Sequence, residues 1–346
     1  MSETVHAQLT GTSQSATRPL GDGLQVSPIG LGTMGLSPGV YGAVTEDGAM
    51  TLIHKAIDSG VTFLDTADVY GRGEGERLVG RAVGAHRDKV TLATKFGFVG
   101  PAQGRRVEDI GYRMKLFVDA SPTYAQAAIE ASLRRLGTDH VDLWYLHLPD
   151  PEVPIEDTVG AMAEQISRGT VRHLGLCNVT AEQLRRAQRV HPIAAVQCEY
   201  SLWNRVPERQ LLPTCQELGV GLVAWGPLGS GFLTDSGFIR GTRTSLPDND
   251  VRSRQDRFNP DNLATNAAIF GALTDIAAEL GRSTAQLALT WLLARGCVPI
   301  PGTRRVGHLL QNLAAVDISV PVEVLTELDR RFPVGSAAGA GFRDLS

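Results

Sequence analysis

Gly30-Leu31-Gly32-Thr33-Met34-Gly35, followed at once by Leu36-Ser37-Pro38-Gly39, is the stretch on which the fold turns. Its first six residues have the G-x-G-x-x-G spacing of a dinucleotide-binding turn, in which the glycines must open a helix that receives the pyrophosphate. Here Ser37-Pro38-Gly39 intervenes, and the next helical pattern begins only near Thr45. A Rossmann sheet is therefore disfavoured. The segment reads instead as the loop after a first strand, bare of side chains so that its backbone can approach a ligand.

Outward from that loop, one theme repeats from about Pro28: a short apolar or β-branched run, a polar loop, then an amphipathic stretch closed by Gly. That alternation predicts parallel β/α units. Candidate strands fall at 29–31, 61–64, 90–93, 141–146, 171–174, 194–196, 221–224 and 298–300. Eight such units predict an α/β fold, a (β/α)8 TIM barrel. The helices carry their own signals. Ser121-Pro122 predicts an N-cap with a first-turn proline, and Gly137 the stop. Thr180 with Gln183, and Ser283 with Gln286, have capping-box spacing. Ala49, Leu52, Ile53, Ala56 and Ile57 recur at helical spacing between Thr45 and Gly60.

No composition break divides the chain, so we expect one barrel over 18–333, a flexible leader over 1–17 and a flexible Gly/Ala-rich tail over 334–346. Two long glycine-bearing loops, 97–120 and 229–262, interrupt the rhythm, as functional lids or disordered segments do. Lys plus Arg number 33 against 37 Asp plus Glu in 346 residues, a net charge of -4, which leaves no basic excess for nucleic acid or an anionic membrane. No apolar run reaches the ~20 residues of a membrane span. Cys177, Cys198, Cys215 and Cys297 form no CxxC pair and have no neighbouring histidines, so no metal and no disulfide framework is expected. A cytoplasmic location, as a monomer or weak homo-oligomer, fits.

A barrel carries its chemistry where strands end. After the second strand comes Asp65-Thr66-Ala67-Asp68-Val69-Tyr70, after the third Lys95, and after the fourth His147. Taken singly, each has an ordinary structural reading: an Asp that caps, a Tyr that packs, a His that satisfies backbone. Together they place an acid, a phenol, an amine and an imidazole at one mouth. A Lys at a buried strand end needs a counter-charge, which Asp65 can supply. Carbonyl reduction would use the set: hydride attack on C=O builds negative charge on oxygen, which needs a proton donor and hydrogen bonds. Tyr70 is the candidate donor. Lys95 is expected to lower its pKa, Asp65 to hold Lys95, and His147 to orient a small-molecule carbonyl substrate.

The other strand ends suit a cofactor bed. Asn178 and Gln197 offer amides for a nicotinamide carboxamide, and Trp225 offers a flat face. After the eighth strand, Gly302-Thr303-Arg304 leads into a helix through Gln311-Asn312, an anion site suited to a ribose 2′-phosphate and hence to NADPH. Phe96, Phe98, Trp203, Phe232 and Tyr41 are candidates for an apolar substrate pocket. Arg240 and Arg243 are candidates to reach the pyrophosphate from a closing 229–262 loop.

With these residues in view, the chain resembles the aldo-keto reductase superfamily from about Arg18 to Phe332. The resemblance rests on the Gly-Leu-Gly-Thr-Met start, FLDTADVYG, ATKFG, SLRRLGTDHVDLWYLH, VRHLGLCN, AAVQCEYSLW and VPIPGTRR. It implies a catalytic tetrad on Asp65, Tyr70, Lys95 and His147, carboxamide contacts on Asn178 and Gln197, and a β-hairpin around residues 18–26 that plugs the barrel bottom. It also implies NADPH contacts along Gly32, Thr33, Met34, Asp65, Cys177, Trp225, Gly226, Pro227, Leu228, Gly229, Gly231, Gly302, Thr303, Arg304, His308, Gln311 and Asn312. Three positions depart from the family pattern: Cys177 where Ser is usual, Trp225-Gly226 for Tyr-Ser, and His308 for Arg. Two rival readings fit the barrel. Lys95 could form a Schiff base in an aldolase, or the protein could keep NADPH as a redox sensor.

Overall fold

The computed structural model describes residues 17–38, 44–107, 116–247 and 250–343. The eight strands Leu31–Gly32, Phe63–Asp65, Thr91–Phe96, Val141–Leu146, Val171–Cys177, Ile193–Glu199, Gly221–Trp225 and Val298–Pro299 are all parallel and lie in sequence order in one sheet. The Gly30 N–H donates to the Pro299 carbonyl at 3.0 Å and joins the two ends of the sheet. Closure is tight there: a Cβ on Gly32 would lie 2.7 Å from the Ile300 carbonyl oxygen. Glycine is therefore required at that seam for close backbone approach, and no α-helix follows it. A 3-10 turn, Met34–Leu36, does.

Local signals and local structure agree in the helices. Thr45 caps Glu46–Asp58, Ser121 caps Pro122–Leu136 before a left-handed Gly137, and Thr180 and Ser283 each form a complete capping box. Ala49, Leu52, Ile53 and Ala56 are buried against the sheet. The core accordingly has two parts. One lies between the strands and the helix ring. The other fills the barrel, where Leu20, Leu24 and Val26 meet Phe63, Tyr145, Val223 and Ile300. Those first three come from the hairpin of the antiparallel strands Arg18–Pro19 and Gln25–Val26 and the turn between them, which stoppers the N-terminal end of the barrel and leaves the opposite end for chemistry. Among the described residues, no single helix is long and apolar enough to cross a membrane.

The loops hold more structure than their composition suggests. The third-strand loop carries an antiparallel pair, Arg105–Val107 with Leu116–Val118. The 229–262 loop is a series of 3-10 turns leading into the helix Pro260–Phe270. The described part of the tail, as far as Arg343, packs where a flexible segment was expected: Asn266 and Ala338 exchange two hydrogen bonds, and Phe342 is buried. Its glycines let the backbone press against the barrel rather than leaving it loose. The leader, apart from Thr17, lies outside the described residues, as does Tyr41.

Candidate active site

Asp65 ends the second strand and Lys95 lies in the third, where Asp65 is registered with Ala93. Alternation puts Lys95, two residues beyond Ala93, on the same inward face. Its ammonium is fully buried. It donates to the Asp65 carboxylate, to the Thr66 carbonyl at 2.8 Å and toward the Tyr70 hydroxyl at 3.4 Å. Gln197, on the sixth strand, donates to the other Asp65 oxygen at 2.8 Å. Burial by itself would lower the Lys95 pKa, but the Asp65 carboxylate, with Tyr70 and Cys177, more than offsets it and holds the ammonium charged.

Tyr70 is carried by an unusual turn. Gly71, Arg72 and Gly73 all have positive φ, at 58°, 56° and 92°. Arg72 in that region is strained, so the surroundings must hold the turn in place. They do so through Glu76, fully buried at the start of the next helix, which accepts from Thr94 and Arg135 at 2.6 Å each. Asp68, in the same loop, keeps a shielded carboxyl oxygen with no hydrogen-bond partner.

Two electrostatic outcomes stand out. The Tyr70 hydroxyl is pushed up to about 12 by burial, against the lowering by Lys95. The sequence reading anticipated the sign of the Lys95 contribution but not the larger opposing cost of desolvating a phenolate. His147 is held well below the ordinary imidazole range, first by burial and then by the Lys95 charge. It is therefore neutral, with a shielded Nδ1 that has no partner. Its ring lies edge-on to Tyr70 at 6.0 Å and against Phe98 at 4.4 Å.

Asn178 joins the remaining parts. Its side chain donates to the His147 carbonyl at 3.1 Å and accepts from the Trp225 indole N–H at 3.2 Å. Its own φ is 56°, one of four positive values at non-glycine residues among those described. Cys177, just before it, lies in the barrel-filling core beside Tyr145 and Ala195. Thr33 donates its hydroxyl to the Asp65 carbonyl at 2.9 Å, with Met34 partly exposed beside it. Beyond the seventh strand, Gly226, Gly229 and Gly231 have φ of 60°, 56° and 92° around Pro227 and Leu228. A Cβ on Gly302 would lie 3.0 Å from the Gly32 carbonyl oxygen. Arg304 precedes the helix Val306–Leu313, on which His308 is exposed, Gln311 half-buried and Asn312 buried.

Several expected roles move. Of the proposed pocket aromatics that are described, only Phe98 touches His147. Phe96 stacks on Trp144, and Trp203 on Phe232, in the outer core. Arg240 pairs with Asp235 and Arg243 covers Phe238, while Arg252, which was not singled out, donates to the Ser230 carbonyl at 3.1 Å. Sequence reasoning also missed Phe342, whose ring meets Trp225 edge-on at 5.3 Å. No sequence period marks a residue that reaches the site from a Gly/Ala-rich tail.

A scan of known families matches the aldo/keto reductase family over residues 28–331. This chain belongs to that family. A probable aldo-keto reductase 1 of Glycine max is 38% identical over 323 residues, spanning 92% of this chain and 89% of that one. Among solved structures, the glycerol dehydrogenase of Gluconobacter oxydans superposes with a TM-score of 0.79 at 28% identity, covering 93% of this chain and 97% of its own. An aldo-keto reductase of Klebsiella pneumoniae, solved with NADPH, gives a TM-score of 0.70 at 28% identity, covering 92% of this chain and 96% of its own.

Proposed function

We propose that this aldo/keto reductase reduces an aldehyde or ketone to an alcohol with NADPH, reversibly, with Tyr70 as the proton donor. One observation carries the reading: a neutral phenol beside a permanently charged Lys95, and a neutral His147 with an unsatisfied ring nitrogen, both at the open end of the barrel. NADPH held there would supply the hydride. The chain supplies the rest. As charge develops on the carbonyl oxygen, Tyr70 gives its proton, Lys95 stabilises the emerging phenolate, Asp65 keeps Lys95 in place, and His147 donates a hydrogen bond to the same oxygen. A neutral imidazole suits that last role, because it can donate without adding a second cation beside Lys95.

The residues fit the cofactor. Asn178 and Gln197 would hold the carboxamide, Trp225 the ring face, and Gly32, Thr33, Met34 and Cys177 would border the nicotinamide end. The turn through Gly226, Pro227, Leu228, Gly229 and Gly231, left-handed at its three glycines, would let the backbone come close to the pyrophosphate. Gly302, Thr303 and Arg304 would take the 2′-phosphate, and His308, Gln311 and Asn312 the adenine side. A Schiff base on Lys95 is the weaker reading, since an ammonium paired with Asp65 is a poor nucleophile. We assign the protein to the reducing cytosol, on four buried cysteines that remain free thiols. The test is NADPH oxidation across a panel of aldehydes, ketones and keto-sugars: turnover of at least one class is expected. NADPH binding without turnover of any would favour the sensor reading instead.

A further inference from the structure

The C-terminal tail reaches the site along a built track. The Ala340 N–H donates to Asp256 at 3.1 Å, and the Arg257 guanidinium to the Gly339 carbonyl at 3.2 Å. Gly339 has φ 85°, and a Cβ there would lie 2.7 Å from the Asn262 amide nitrogen. The Phe342 N–H then donates at 2.8 Å to Glu199, a buried carboxylate at the end of the sixth strand. These fastenings deliver the last two described side chains to fixed places. Phe342 packs with Val118, Leu148 and the half-buried Phe98 and Trp225, so it closes one side of the space in front of His147.

Arg343 comes next. Its side chain is half-buried and, among the described residues, makes a single long hydrogen bond, 3.4 Å, to the backbone carbonyl of Asn178. Asn178 is the residue whose side chain bonds both the His147 carbonyl and Trp225. No carboxylate pairs with Arg343 among the described residues, unlike Arg257, Arg252 and Arg205, which each have one. Burial depresses its pKa. A half-buried guanidinium with no carboxylate partner among the described residues, set on the carbonyl of the residue whose side chain bonds the His147 backbone and next in the chain to an aromatic wall, is complementary to a planar anion.

We propose that Arg343 is a specificity residue, and that the physiological substrates are carbonyl compounds carrying a carboxylate, which Arg343 binds while Phe98, Trp225 and Phe342 enclose the body of the molecule. This rests on the reductase reading and narrows it. The carboxylate takes no part in the chemistry: the hydride goes to the carbonyl carbon and the Tyr70 proton to its oxygen.

The test uses a matched pair, 4-formylbenzoate and its methyl ester, with the full-length enzyme and NADPH. The ester is intrinsically the more electrophilic aldehyde, so a preference for the acid reports recognition. Wild type should favour the acid in kcat/KM by roughly tenfold or more, the lower end for a charge-assisted pair. Arg343→Ala should abolish that preference through KM for the acid and leave the ester within about twofold, while Arg343→Lys should restore part of it. No preference in wild type, or equal losses on acid and ester in Arg343→Ala, would overturn the assignment and leave Arg343 as a fastening for the tail. Because the ester lacks the anion, its turnover reads the reductase activity separately, so failure of one idea is distinguishable from failure of the other.

Discussion

Lys95 Nζ stands 3.4 Å from the Tyr70 hydroxyl while its charge is anchored on Asp65. The phenol is thus bonded to a cation that cannot leave, yet burial keeps it protonated to about pH 12. Tyr70 holds its proton until charge appears on a nearby oxygen, which is the condition for a general acid in reduction.

Lys95→Met removes the one group that lowers the Tyr70 pKa appreciably, so the phenol should titrate still higher. In the direction of alcohol oxidation, where Tyr70 must accept the proton, the alkaline rise of kcat should move to higher pH, and turnover at neutral pH should fall. The same change leaves Asp65 buried without its counter-charge, which costs about 3–5 kcal/mol. A pH–rate profile and a urea titration check the two effects; an unshifted profile would detach Lys95 from Tyr70.

Asp68 predicts a pH dependence of stability. Its carboxyl is raised to about 8, first by burial and then by Glu76, against the lowering influences of Arg135 and Lys95. Tyr124 is pushed up to about 12 by burial and by the same carboxyl. The folded state therefore holds a proton that the unfolded chain has released above about pH 4. Its contribution is fully present at low pH and is lost as pH rises toward 8. Unfolding of wild type and Asp68→Asn at pH 5 and pH 8.5 checks this: Asn should gain on wild type at the higher pH. A constant difference would remove Asp68 from the account.

The loop after the seventh strand should tighten on the cofactor. Arg252 reaches the Ser230 carbonyl, and Gln255 the Ser230 hydroxyl at 3.3 Å, across the turn proposed to take the pyrophosphate. NADPH should slow hydrogen exchange over residues 229–258, and Arg252→Ala should reduce that protection. Equal exchange with and without NADPH would count against a clamp.

Arg304 is the residue proposed to take the 2′-phosphate, so cofactor choice tests it. Arg304→Ala should weaken NADPH by about 1.5–3 kcal/mol, the range for hydrogen bonds to charged groups, and NADH little. The family resemblance implies a second arginine where this chain has His308, so the lower end is expected. Fluorescence titration of both cofactors decides; parallel weakening would mean that Arg304 serves the fold or the pyrophosphate.

The barrel was legible because strand-end polarity, caps and closing glycines are local signals, and the structure shows a strand at each of the eight expected places. Asp65, Tyr70, Lys95 and His147 could be grouped because each lies at or just beyond a strand end, so topology alone brings them together. Phe342, Arg343 and Arg252 could not. They arrive from segments with no period, and their positions depend on contacts such as Glu199 with the Phe342 N–H, between residues far apart in the chain. The Tyr70 pKa was misread for a related reason: a charge partner can be read from residue types, but the depth of burial that opposes it cannot.

The most direct test is steady-state turnover of Tyr70→Phe with NADPH and the best carbonyl substrate, alongside NADPH affinity. Removing the hydroxyl leaves the ring packed near His147, so the account predicts unchanged cofactor binding and a kcat reduced by roughly 10²–10⁴-fold, the range for general acid catalysis. A Tyr70→Phe enzyme that keeps near wild-type kcat would contradict it.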